Sequence, residues 1–267
     1  MSYNTIGFIG AGNMASAIIS GLIKSKMFEP QKIYVSSKSK ESAKKLQKEQ
    51  GVNACENNNE VVKISDVLVL AVKPVVFKDV INGIKDEDFD GKLVISIAAG
   101  LSMEQITGFF EKDVKIVRTM PNTPALVGEA MTAMCSKENV DDNDLKFAVK
   151  VFDSFGKTEI VPEKLMDVVT GVSGSSPAYV YMFIEALADG AVAEGMPRKQ
   201  AYNFAAQAVL GSAKMVLETG EHPGALKDAV CSPGGTTIEA VAALENLGFR
   251  SAVIEAERAC IDKSRRL

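Results

Sequence analysis

Histidine occurs once in this chain, as His222, and tryptophan not at all. The four cysteines, Cys55, Cys135, Cys231 and Cys260, stand far apart with no C-x-x-C pair. With so few soft ligands at such spacings, neither a zinc site nor a disulfide framework is expected, and no metal is implied. An excess of positive charge is also missing. Thirty Lys and Arg against 34 Asp and Glu leave a net charge of -4, which argues against a nucleic-acid partner, since binding a polyanion needs a basic surface to release counterions. Long apolar runs are absent too. The first, Ile6-Gly7-Phe8-Ile9, is short, has no basic residue before it and leads straight into glycines, so neither a signal peptide nor a membrane anchor is expected and a cytoplasmic location follows by default. What is present, 46% apolar and 24% charged residues over 267 positions, suits a globular enzyme of one large or two modest domains acting on small metabolites.

Up to about Val161, short β-branched runs alternate with helical patterns, the signature of a parallel sheet covered by helices. Strands are predicted over Thr5 to Ile9, Lys32 to Val35, Val67 to Ala71, Leu93 to Ile97, Lys115 to Met120, Met131 to Cys135 and Lys157 to Val161. Helices are predicted over Asn13 to Lys24, Lys40 to Gln50, Val75 to Ile81, Met103 to Phe110 and Asp141 to Ser154, with Ser102 and Gln105 as a capping box for the fourth. After Pro162 strands vanish and Ala-, Met- and Leu-rich helices take over, which places a domain boundary between residues 162 and 163. Pro177 and Pro197 suit the first turns of helices. The stretches Ala178 to Glu194 and Arg198 to Leu217 are small and apolar on most faces. A domain of about a hundred residues can hardly bury them alone, so packing against another subunit is expected, with burial against the first domain as the alternative.

Gly10-Ala11-Gly12-Asn13-Met14-Ala15 directly follows the first strand at Ile9 and opens a helix. This is the G-x-G-x-x-A dinucleotide fingerprint: Gly10 allows the tight turn, Gly12 lets a pyrophosphate approach the backbone, and Ala15 lets helix and strand pack closely. The fold class is therefore α/β, a Rossmann-like doubly wound sheet over 1–162 that binds the cofactor, followed by an all-α dimerisation domain over 163–267. After the second strand, where an acidic residue would select NAD, the chain has Ser36-Ser37-Lys38. Two hydroxyls and an ammonium can donate to a 2′-phosphate, so NADPH is the preferred cofactor, with NADH usable at lower efficiency. The other reading is a solvated turn carrying a chance lysine.

Further motifs follow in order: Ala71-Val72-Lys73-Pro74, Ala98-Ala99-Gly100, Arg118-Thr119-Met120-Pro121-Asn122-Thr123-Pro124, the run from Val169 through Gly171, Ser173 and Pro177 to Tyr179, and Ser232-Pro233-Gly234-Gly235-Thr236-Thr237-Ile238. Together they resemble pyrroline-5-carboxylate reductase from Gly7 almost to the C-terminus, and the last two motifs are highly specific to that family. The resemblance implies NADPH-dependent reduction of 1-pyrroline-5-carboxylate to L-proline, the last step of proline biosynthesis. It also implies dimers built through the helical domain and assembled further into a decamer. By resemblance, Ala71 to Pro74 and Ala98 to Gly100 line the cofactor, Ser37 and Asn58 hold its adenosine ribose phosphate, and Asn122 lies near the nicotinamide. Lys73 invites a reading as an acid, but Pro74 behind it favours a rigid turn with the side chain pointing elsewhere.

Thr236 and Glu239 form a capping-box pattern, and the glycines before them expose backbone N–H groups, which together make a carboxylate cradle. A plain N-cap without ligand is the alternative. In the family the substrate carboxylate sits here, with Thr237 bonded to the ring nitrogen. A threonine hydroxyl is too weak an acid to protonate that nitrogen at neutral pH, so the proton is expected from solvent. His222 precedes a short helix and reads as a turn residue, and Cys231 as a small filler. Two rival functions remain open: a reductase of another imine or ketone, and a nicotinamide-sensing protein without turnover. The run Gly171 to Tyr179 lacks the lysine that β-hydroxyacid dehydrogenases use, and the intact Ser232 to Thr237 loop argues for a substrate.

Overall fold

The computed structural model describes residues 3–266. They fall into two compact units, one of residues 3–174 with 261–266 and the other Ser175–Cys260. The strands of the first are β1 (Ile6–Ile9), β2 (Ile33–Ser36), β3 (Asn53–Ala54), β4 (Val67–Leu70), β5 (Leu93–Ser96), β6 (Lys115–Met120), β7 (Ala130–Ser136) and β8 (Gly156–Ile160). Its helices are α1 (Asn13–Lys24), α2 (Lys40–Gln50), α3 (Asn58–Ile64), α4 (Pro74–Asn82), α5 (Met103–Phe110), α6 (Asp142–Asp153) and the short α7 (Met166–Val169). The sheet runs β3-β2-β1-β4-β5-β6-β7-β8.

Both faces of the central strands are covered, which is why β1, β4 and β5 are near-continuous apolar runs. In β4, Val67 and Val69 face a core shared with Phe8, Ile18, Leu22 and Phe152, from β1, α1 and α6. Leu68 and Leu70 face the opposite core with Phe77, Ile106 and Phe110, from α4 and α5. The largely buried Asp144 accepts from Tyr3 Oη at 2.7 Å and Lys115 Nζ at 2.6 Å. Burial first, then this bond, raises the Tyr3 phenol well above its ordinary value.

Three features depart from the sequence expectation. The sheet is not wholly parallel: β6 and β7 pair antiparallel, and β7 then pairs parallel with β8. Residues 121–129 are too few for the crossover of about a dozen or more residues that parallel neighbours need, and they fold instead around a 3-10 turn at Thr123–Val127. Strand β3 and helix α3 are additional elements. The compact unit also extends past residue 162 to Gly174, because Met166 is buried with Ala133 and Cys135 and Arg118 bonds Glu163 at 2.8 Å.

The second unit is helical: α8 (Ser176–Ala193), α9 (Arg198–Thr219), α10 (Pro223–Ala229), α11 (Thr236–Asn246) and most of α12 (Phe249–Ser264). Pro177 lies in the first turn of α8 as expected, whereas Pro197 caps α9 from just outside it. Helices α8 and α9 pack on each other, yet only Ala188, Ala201 and Ala205 are buried within the unit. Phe204, Leu210, Leu217 and Leu247 remain more than half exposed. An apolar groove of about 530 Å³ runs between α8 and α12, lined by Met182, Phe183, Leu187, Phe249 and Val253 among others. No described helix is long and apolar enough to cross a membrane.

Candidate functional site

The strands β1, β2, β4, β5 and β6 are parallel, so their carboxyl ends share one edge of the sheet. There the sequence places Gly10 to Met14, Ser36 to Lys38, Ala71 to Pro74, Ala98 to Gly100 and Asn122. Ligands of open α/β sheets bind along this edge.

Gly10 adopts φ +111, and its N–H donates to Ser36 O at 2.8 Å. A Cβ there would come within 2.3 Å of Ala71 O, so only glycine lets β1 turn this sharply beside β4. Gly12 is different. It is the N-cap of α1, takes no side-chain cap, and an added Cβ would meet nothing within 4 Å. An open approach to uncapped helix N–H groups suits a pyrophosphate, so the residues present fit a dinucleotide.

Beside it lies a cleft of about 470 Å³ lined by Ile9, Gly10, Ser37, Lys38, Asn58 and Val72. Lys40, Glu56, Asn57, Val76, Asp79, Val80 and Gly83 complete its wall, and none of these seven was singled out from sequence. Strand β3 brings in Glu56 and Asn57: Cys55 N–H donates to Val35 O at 2.8 Å, which sets the Glu56 loop next to the Ser37 turn. Lys40 then pairs with Glu56 across the rim, and this bond holds the Glu56 carboxyl below the usual carboxylate range.

Ser36 needs correction as a ligand. It is 1% exposed, and Oγ donates to Asn58 Oδ1 at 2.8 Å, so it orients Asn58 from beneath, while Ser37, whose Oγ donates to Ser39 O, and Lys38 line the cleft. Lys73 is the exposed N-cap of α4 with Pro74 in its first turn, in keeping with a rigid turn. Ala98 is buried, while Ala99 and Gly100, at φ +75, form the loop after β5. Asn122 is committed within the protein: Oδ1 accepts from Met131 N–H at 3.0 Å, and Nδ2 donates to Ser173 O and Oγ at 3.2 Å each. It thereby ties the end of β6 to a π-helical turn at Thr170–Ser175, a distortion often found at functional sites.

In the second unit, Gly235 N–H donates to Ser232 O at 3.0 Å and Gly234 has φ +66. Pro233 followed by this glycine makes the Ser232–Gly235 segment a type II turn. The expected capping box at Thr236 is not formed. Gly235 is the N-cap, and Thr236 and Thr237 are the first helical residues. The consequence strengthens the site: without a side-chain cap, the first N–H groups of α11 stay available to an anion. His222 is the N-cap of α10, its Nδ1 accepting from Gly224 N–H at 3.0 Å, which makes it a turn residue as expected. Burial pushes the thiols of Cys55 and Cys135 up to about 11, so both are protonated and inert at neutral pH.

Residues 163–267 match the pyrroline-5-carboxylate reductase dimerisation family, and residues 5–100 match the family of NADP oxidoreductases described as coenzyme F420-dependent. Over 262 residues the chain is 53% identical to the pyrroline-5-carboxylate reductase of Escherichia coli K12, covering 98% of this chain and 97% of that one. This chain belongs to the pyrroline-5-carboxylate reductase family. Solved structures agree. The Plasmodium falciparum pyrroline carboxylate reductase with NADP bound superposes with a TM-score of 0.89 at 35% identity, covering 98% of this chain and 97% of that one. The Coxiella burnetii pyrroline-5-carboxylate reductase does so at 0.91 and 34% identity, covering 100% and 98%. These members of the family are oxidoreductases.

Proposed function

We infer that this chain reduces 1-pyrroline-5-carboxylate to L-proline, the last step of proline biosynthesis, by hydride transfer to the C=N carbon. The observation that carries the reading is the uncapped N-terminus of α11 behind the Ser232–Gly235 turn, a carboxylate cradle in a family of pyrroline-5-carboxylate reductases. NADPH supplies the hydride when bound. The helix start at Gly12, Asn13 and Met14 holds its pyrophosphate, with Ile9 and Ala11 beside it. Ser37, Lys38 and Asn58 hold the adenosine ribose phosphate, Ser36 acting through Asn58. The backbone of Ala71 to Pro74 and Ala98 to Gly100 lines the rest, and Asn122 positions the loop beside the nicotinamide.

On the substrate side, the N–H groups of Thr236 and Thr237, presented by the Gly234–Gly235 turn, hold the carboxylate, with Ser232 at the edge of the turn. Thr237 orients the ring nitrogen. A protonated imine is already electrophilic, so the protein's task is alignment, which can lower a barrier by on the order of 7 to 11 kcal/mol. No histidine or cysteine is needed as an acid, and solvent supplies the proton.

The test is turnover of the five-membered imine carboxylate and its six-membered homologue in parallel, with products identified by mass. Conversion to proline is expected. NADPH binding without turnover of either ring would favour the sensor reading.

NADH serves at lower efficiency because Ser37 and Lys38 lose their partner when the 2′-phosphate is missing. The chain acts in the cytoplasm as a homodimer, assembled further into a decamer. Support for the dimer comes from the helical unit, whose large apolar side chains are left uncovered, and from the matched dimerisation family. Sedimentation should show no monomer at micromolar concentration, and a monodisperse monomer would contradict this packing.

A further inference from the structure

The cleft beside Ser37 carries two lysines, Lys38 and Lys40, and two carboxylates, Glu56 and Asp79, of which Glu56 pairs with Lys40. Lys40 is the first residue of α2 and Glu56 lies in the loop after β3, so the parallel pairing of β2 and β3 brings them together. The Glu56 loop is held in place by its own N–H, which donates to Glu60 Oε2 at 2.8 Å. Both side chains of the pair are well exposed, 62% for Lys40 and 71% for Glu56. Solvent therefore competes with the ion pair, and a phosphate dianion can do so as well. The anion would meet Lys38 unpaired and Lys40 already engaged, with a carboxylate next to it.

We propose that Glu56 is a specificity-determining residue: by engaging Lys40 across the rim it sets the affinity for the 2′-phosphate of NADPH, and hence the margin over NADH. The proposal rests on the reading of this cleft as the adenosine ribose phosphate site. An acid placed here repels the dianion and occupies one of its two cationic partners, yet leaves the unphosphorylated ribose of NADH unaffected. The rim thus binds the phosphate less tightly than its lysines alone would.

Binding titrations of NADPH and NADH, read by the fluorescence of the reduced nicotinamide and without substrate, test this directly. Glu56→Gln should tighten NADPH by roughly 3- to 10-fold and leave NADH unchanged, and the gain should shrink as salt screens the rim. Lys40→Met should weaken NADPH more in the Glu56→Gln background than in the natural chain, because only there is Lys40 free to meet the phosphate. If Glu56→Gln shifts both cofactors equally, or neither, Glu56 does not set specificity. Lys38→Met separates that failure from failure of the underlying reading. Selective loss of NADPH affinity upholds the phosphate site whatever Glu56 does, and equal loss of both cofactors overturns the site and the proposal together.

Discussion

Gly12→Val should abolish useful cofactor binding while leaving the fold intact. The backbone at Gly12 has φ -81 and ψ -178, and the space a Cβ would enter is open. A valine therefore meets no clash, and as a poorer N-cap it should lower Tm by only about 2–4 °C. Its branched side chain, however, would cover the N–H groups that open α1. Losing two charge-assisted hydrogen bonds, worth about 1.5–3 kcal/mol each, should weaken NADPH by at least about 10²-fold. Gly10→Ala is the contrasting control. It places a Cβ within 2.3 Å of Ala71 O in a backbone conformation at φ +111, so its first effect should be on Tm. Calorimetry with a cofactor titration distinguishes the two. A Gly12 variant that unfolds, or that binds NADPH normally, would remove the pyrophosphate from this turn.

Thr237→Ala should lower kcat by about 10²-fold, the loss typical of removing one hydrogen-bonding group aimed at a reacting centre. The NADPH dissociation constant should stay unchanged, because Thr237 belongs to the substrate turn. The methyl group is lost from a partly exposed position in the first turn of α11, so stability should hardly move. Thr237→Ser, which keeps the hydroxyl, should recover most of the rate. A fall in both kcat and NADPH affinity, or no rescue by serine, would mean that residue 237 shapes the loop rather than the ring nitrogen.

How far the sequence reveals this arrangement depends on how local each signal is. Helices α1, α2 and α5 begin and end where predicted, because each has a local start: the fingerprint for α1, Ser39 before α2, and the Ser102 and Gln105 capping box for α5. Strands β4 and β5 are near-continuous apolar runs buried on both faces, and such runs can be read without knowing their neighbours. Strand direction cannot be read in this way. The antiparallel β7 was betrayed only by the shortness of 121–129, a constraint of chain length rather than of residue type. Element β3 has two residues and α3 opens in a run of asparagines, so neither has apolar periodicity. The signal for α3 was instead Asn57 three residues before Glu60, whose N–H it caps at 2.9 Å.

The site shows the same division. The fingerprint and the Ser232 to Thr237 turn are contiguous in sequence and could be named from it. The pairing of Lys40 with Glu56 and the inward bond of Ser36 to Asn58 depend on which strands lie side by side. Sequence chemistry correctly placed hydroxyls and a lysine after β2, but could not say which hydroxyl faces outward. The Thr236 capping pattern failed for a similar reason: with Pro233 and Gly234 forming the turn, the helix starts one residue early for Thr236 to cap it. That displacement frees the N–H groups that the proposed chemistry requires.

If NADPH gives its hydride to the C=N carbon of 1-pyrroline-5-carboxylate, the transferred atom stays in the product. The purified chain is given NADPH carrying deuterium at the transferable C4 position together with 1-pyrroline-5-carboxylate, and the product is examined by mass spectrometry and deuterium NMR. L-Proline carrying a single deuterium on Cδ, the ring carbon bonded to nitrogen that does not bear the carboxylate, is expected in step with cofactor oxidation. Cofactor oxidation without proline, or proline lacking the label, would contradict that transfer.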